Sequence, residues 1–168
     1  MIPQTVRAQT LYWDNTNVGV PGGTWDSVSP NWNTDPAGSP AQLPTNWVQT
    51  NNAVFSASNL ATTSSFNVTL SEDVTVGNLT YTGSGTQLSI SVGLGDTITM
   101  ANPQMDVNVV PATQISVSPT IAGTGRLVIQ SGAMVLLGAN TYTGGTTINA
   151  GSFLQLGGGT HPEALWET

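Results

Sequence analysis

General acid–base chemistry needs carboxylates brought close together. The candidates are Asp14, Asp26, Asp35, Glu72, Asp73, Asp96 and Asp106. Most stand beside Gly, Asn, Ser, Thr or Pro, where an Asp side chain bonds the backbone of a turn. A glycosidase needs two carboxyl groups roughly 5 to 9.5 Å apart on one exposed face, and no spacing here nominates a pair. His161 is the only histidine, beside Pro162 near the C-terminus. It has no Ser and Asp partners at a spacing that would suggest a triad. There is no cysteine, which removes disulfides, thiol nucleophiles and thiolate metal sites. Gly93-Leu94-Gly95-Asp96 is similar to a calcium-binding β-roll turn, but such turns act as repeated copies and this is one copy. The expectation is therefore no catalytic residue, no metal ligand and no cofactor, and a protein that is not an enzyme.

Binding is the other chemistry on offer. Trp13, Trp25, Trp32 and Trp47 each adjoin an Asp or Asn. Rings that stack on sugar faces beside side chains that bond hydroxyls would make a glycan platform. The preferred reading is an aromatic cover packed on the first coil of the fold. Asn67-Val68-Thr69 and Asn78-Leu79-Thr80 are glycosylation triplets, of a kind that arises by chance in an Asn- and Thr-rich chain. The only cations are Arg7 and Arg126, against nine carboxylates and a net charge of −7. Phosphate recognition needs clustered Lys and Arg, so nucleic acid is excluded as a partner and anionic membrane surfaces are disfavoured.

The elements that must position these residues are strands. No apolar run approaches the ~20 residues of a membrane-spanning helix, so membrane insertion is not expected. Hydrophobic residues make up 38% of the 168 positions, enough to bury a core. From residue 66 onward, apolar pairs fall into two columns. One runs Val68/Leu70, Leu88/Ile90, Val107/Val109, Leu127/Ile129, Ile148. The other runs Val76/Leu79, Ile98/Met100, Ile115/Val117, Val135/Leu137, Leu154/Leu156. The recurrence, close to every 20 residues, lies in the range of solenoids, with glycines at the bends between pairs. It predicts about five stacked two-strand rungs, roughly 24 Å in length, with Leu127 and Ile148 both inside. The alternative is an antiparallel β-sandwich or jelly roll.

Three regions follow: a Trp-rich N-terminal cap over 1–65 with short strands near 10–13, 23–25 and 53–56, solenoid repeats over 66–159, and a C-terminal tail over 160–168. Residues Met1 to Gln9 lack the apolar centre of a signal peptide, although Val6-Arg7-Ala8-Gln9 is compatible with the tail of one.

Residues 121–157 carry a further pattern. It runs Ile121-Ala122-Gly123-Thr124-Gly125, then Leu127-Val128-Ile129, then Gly138-Ala139-Asn140-Thr141-Tyr142-Thr143-Gly144-Gly145-Thr146-Thr147-Ile148-Asn149-Ala150-Gly151, and ends Leu154-Gln155-Leu156-Gly157. This resembles the passenger-associated transport repeat, or autotransporter-associated β-strand repeat, with Ser152-Phe153 as a mild departure. Tyr12-Trp13-Asp14, Gly23 to Asp26, Asn31 to Asn33, Ala53 to Ser56 and Val74 to Leu79 resemble the N-terminal part of large repeat-bearing surface proteins of environmental bacteria. The resemblance implies a right-handed parallel β-helix, export, and display outside the cell, with no catalytic residues to carry over. In autotransporters the repeat precedes a membrane barrel. This chain carries none, so self-secretion is not expected of it.

The function expected is an extracellular structural subunit of a surface fibre, stalk or matrix. It would assemble head to tail through Ile2, Leu11, Leu165 and Trp166, since exposed strand edges template pairing with another chain. The alternative is an adhesin or glycan-binding surface module.

Overall fold

The repeated Val, Ile and Leu pairs form strands because β-branched and alternating apolar residues suit a pleated, half-buried surface. The computed structural model describes residues 8–13, 22–36, 43–55, 66–83 and 87–157. Sixteen strands and no helix are found among them. In chain order they are β1 (Thr10–Trp13), β2 (Gly23–Trp25), β3 (Trp32–Asn33), β4 (Asn52–Phe55), β5 (Phe66–Leu70), β6 (Val74–Val76), β7 (Leu79–Tyr81) and β8 (Gln87–Val92). The chain continues through β9 (Thr97–Met100), β10 (Gln104–Val109), β11 (Gln114–Val117), β12 (Thr120–Ala122), β13 (Arg126–Ser131), β14 (Ala133–Leu136), β15 (Thr146–Ile148) and β16 (Phe153–Leu156).

These strands build a parallel solenoid of about four turns with three walls. The first wall orders β15-β13-β10-β7-β4-β1-β3, the second β16-β14-β11-β8-β5-β2, and the third β12-β9-β6. From β4 to β10, each strand pairs in parallel with the strand three places on, one turn later. The sandwich alternative requires antiparallel hairpins, and the only antiparallel strand pair among the described residues is β1 with β3.

Pairing stacks like on like. In the first wall Leu11 faces Ala53, Ala53 faces Leu79, Leu79 faces Val107, Val107 faces Ile129, and Ile129 faces Ile148. In the second wall Val68, Ile90, Val117, Leu136 and Leu156 form a matching column. The third wall adds Val74, Ile98 and Ile121. The column members up to Ile129 and Leu136 are all buried, at no more than 2% exposure.

The two columns read from sequence are not the columns of the fold. Val68 and Ile90 lie in the second wall, whereas Val107 and Ile129 lie in the first. The third wall was missed, so the two-strand rung is corrected to a three-strand turn for most of the body. Leu79 and Val107 pair 28 positions apart, while Leu127 and Thr146 pair 19 apart. Only the last turns, β13 to β16, have two strands and the 20-residue period. There residues 137–145 continue the third wall without a strand, through Thr141 N–H to the Ile121 carbonyl at 2.9 Å and Thr143 N–H to the Gly123 carbonyl at 3.0 Å. The bend closes so tightly that a Cβ on Gly144 would lie 2.4 Å from the Gly125 backbone, so glycine is required at that point.

Ile148 was expected inside but is 48% exposed, because its outer side has no further described strand against it; Leu127 is fully buried as expected. Nor does the solenoid begin at residue 66. β1, β2 and β4 already belong to its first two walls. The insertion between β2 and β4 turns back as β3, antiparallel to β1, and closes the first wall's N-terminal edge. Closing an edge removes a pairing template.

Candidate functional site

The four tryptophans come together as a packed cluster. Trp13, Trp25, Trp32 and Trp47 are at most 2% exposed. Trp13 meets Trp32 edge to face at 5.1 Å and Trp25 meets Trp47 likewise at 5.1 Å, while Phe55 touches Trp13, Trp25 and Trp32. Edge-to-face pairs add about 0.5–1.5 kcal/mol beyond burial. The glycan-platform reading of these rings is corrected on this point: stacking needs an exposed ring face, and all four are withdrawn into the core. Leu11 is buried in the same core and so offers no side chain to a second copy. Ile2, Leu165, Trp166, Asp14 and His161 lie outside the described residues.

The described carboxylates sit at corners, except Asp106, which is on β10. Asp26 accepts bonds from the backbone N–H groups of Val28 and Ser29 and from the hydroxyls of Ser29 and Ser71. Partial burial pushes its pKa up, but these four donors outweigh it and hold the carboxyl below its ordinary value. Glu72 reaches the same corner, where it accepts the Ser27 hydroxyl at 3.0 Å. The four donors to Asp26 build this corner as a turn lock. Asp73 accepts the Thr97 N–H at 2.7 Å, and Asp106 accepts the Gln104 and Gln130 amides at 2.7 Å each. In the single turn Gly93 to Asp96, Gly95 takes a φ of +92°. Among the described residues, no three His, Asp or Glu side chains gather as metal ligands.

Sequence reasoning missed an asparagine relay. Asn51 Oδ1 accepts the Gln9 N–H, Asn52 Oδ1 accepts the Asn78 N–H, and Asn78 Oδ1 accepts the Asp106 N–H, at 2.8 to 2.9 Å. The side chains of Asn52 and Asn78 each satisfy a backbone donor one turn on. Asn78, one of the two triplet asparagines, is therefore half-buried and occupied. Asn67 is exposed on the outer face of the second wall and donates to the Ser91 hydroxyl at 3.0 Å.

That outer face is a ladder of uncharged polar groups. Thr69 pairs with Ser91 at 3.3 Å, Gln87 donates to Ser116 at 2.8 Å, and Gln114 donates to Ser116 at 3.1 Å. Alternation along each strand puts these groups outside while Val68, Leu88, Ile90, Ile115 and Val117 go inside. The ladder ends at a groove of about 500 Å³, on the corner where the first wall passes into the second.

These features define an all-β parallel solenoid with an aromatic-filled first turn, polar outer faces and structural corners. No family model matches the chain, and no solved structure matches it. It is similar to the "Adhesin BmaC autotransporter" of Brucella suis biovar 1 (strain 1330), with 31% identity over 152 residues. That similarity covers 88% of this chain, which spans 4% of the length of that protein. Together with the solenoid, it is consistent with an autotransporter-associated repeat.

Proposed function

We propose that this chain is an extracellular, surface-displayed solenoid module of adhesin type: a stiff element that presents its outer walls to another surface and turns over no substrate. The similarity to an autotransporter adhesin along nearly the whole chain carries the reading. The turn roles of Asp26 and Asp73 and the amide partners of Asp106 support its non-catalytic part. The test is attachment. Beads coated with the protein are compared with beads coated with an acidic protein of matched charge, on host cells and on extracellular matrix. Specific retention is expected; retention no greater than the control refutes an adhesive role. Hydrolysis of a polysaccharide that disappears on mutating one Asp would refute the non-catalytic part.

One observation favours assembly of copies as well. Among the described residues, β15 and β16 edge their walls and leave Ile148 48%, Phe153 40% and Leu156 69% exposed. Because β3 closes the first wall at the other end, a head-to-tail contact would run through the second wall, with β16 of one copy on β2 of the next. Light scattering at rising concentration tests it; a strictly monomeric protein refutes it.

A further inference from the structure

The corner groove is made by what its corner residues lack. Ala112, Gly132 and Gly151 occupy the bends of three successive turns with φ of 65°, 73° and 80°. A Cβ on Gly132 would lie 2.6 Å from Val109, so no side chain fits at that bend, and Ala112 adds only a methyl to its own. The result is a trough that runs along the solenoid axis across three turns. Its walls carry Thr113, Gln114, Gln130, Ser131, Ser152 and Phe153, and no ionisable side chain lines it.

We propose that this groove binds a neutral oligosaccharide, with Phe153 as the stacking platform; the proposal rests on the adhesin reading and names its ligand class. Phe153 alternates with the inward Leu154 on β16 and is 40% exposed, which leaves part of its side chain open to the apolar C–H face of a sugar. Gln130 is held in place, donating to Asp106 at 2.7 Å and accepting from Asn149 at 2.5 Å. An amide has two donors and two lone pairs, so hydrogen-bonding capacity is left over. Thr113 and Ser131 hydroxyls donate inward to the Val110 and Val109 carbonyls and keep lone pairs to accept. The volume lies in the range of ligand sites. The absence of charge disfavours anions, cations and acidic glycans, and the density of amides and hydroxyls disfavours a lipid tail. The polar ladder through Gln87 and Ser116 continues from Gln114 and extends the surface along the second wall.

The experiment screens the whole chain on an array of neutral and acidic glycans, then titrates cellohexaose, laminarihexaose and chitohexaose by calorimetry. Binding of a neutral oligosaccharide is expected, insensitive to salt. Phe153→Ala should weaken it by about tenfold or more at a temperature where circular dichroism shows the variant folded, and Phe153→Trp should restore it. If Phe153→Ala binds as tightly as the parent, the groove is not the site, though the adhesin reading stands. If only acidic glycans bind, or none, the ligand class is wrong, while bead attachment still decides the adhesin reading independently.

Discussion

Two isoleucines that face each other across one ladder should respond very differently to the same truncation. Ile129 and Ile148 are register partners on β13 and β15. Ile129 is fully buried and Ile148 is 48% exposed. Burying an Ile side chain stabilises by about 1.5–3 kcal/mol, and truncation in a closed core adds a cavity term, for a total of about 2–5 kcal/mol. Ile129→Ala should therefore cost about 3–4 kcal/mol within that range. Ile148 withdraws only half of its surface from water and leaves no enclosed cavity, so Ile148→Ala should cost about 1 kcal/mol, near half the transfer value. For a chain of this size each kcal/mol moves the melting temperature by about 2–4 °C. Calorimetry should separate the two variants by several degrees. A solenoid can also lose its end turn before its middle, so hydrogen exchange at β15 and β16 should accompany the melts. Equal losses from the two variants would refute the register, or would mean that a further partner covers the last turn.

Leu127→Asp buries an unpartnered carboxylate in the first wall, at a cost of several kcal/mol; it should yield no folded protein by circular dichroism. Gly144→Ala drives a methyl into the Gly125 backbone at 2.4 Å and should cost about 1–3 kcal/mol in urea unfolding, lost mainly from the last turn. Asn52→Ala orphans the Asn78 N–H and should cost about 1–3 kcal/mol; Asn52→Asp, which keeps the acceptor, should cost less. Asp26 has a folded pKa below its unfolded value, so its contribution is present above about pH 4 and is lost as pH falls through the folded value. Asp26→Asn should accordingly be less stable than the parent at neutral pH and converge with it in strong acid, as read by melts across pH.

The sequence by itself determined that this chain is all-β and without thiol chemistry, and its recurrence favoured a solenoid over an antiparallel sandwich. These follow from local properties: β-branched pairs, glycine at bends, and the absence of whole residue types. It also located the strands of the last two turns, because there the spacing is regular and two strands make a turn, but at β14 it took Val135 and Leu137 for the inward pair where Met134 and Leu136 stack between Ile115/Val117 and Leu154/Leu156. Tertiary structure alone decided the rest. The third wall was hidden because Val74–Val76, Thr97–Met100 and Thr120–Ala122 are short and apolar like their neighbours, and only the closing of a turn assigns a strand to a wall. The four tryptophans had equal claims to surface and core, since an aromatic ring beside Asp or Asn suits either; the return of β3 against β1 put them inside. Asn52 and Asn78 looked like turn residues, and their relay exists because stacking brings positions 26 apart into hydrogen-bond range. The groove at Gly132 is likewise a product of stacking: one glycine at one bend is only a turn, and three small bends in register are a trough.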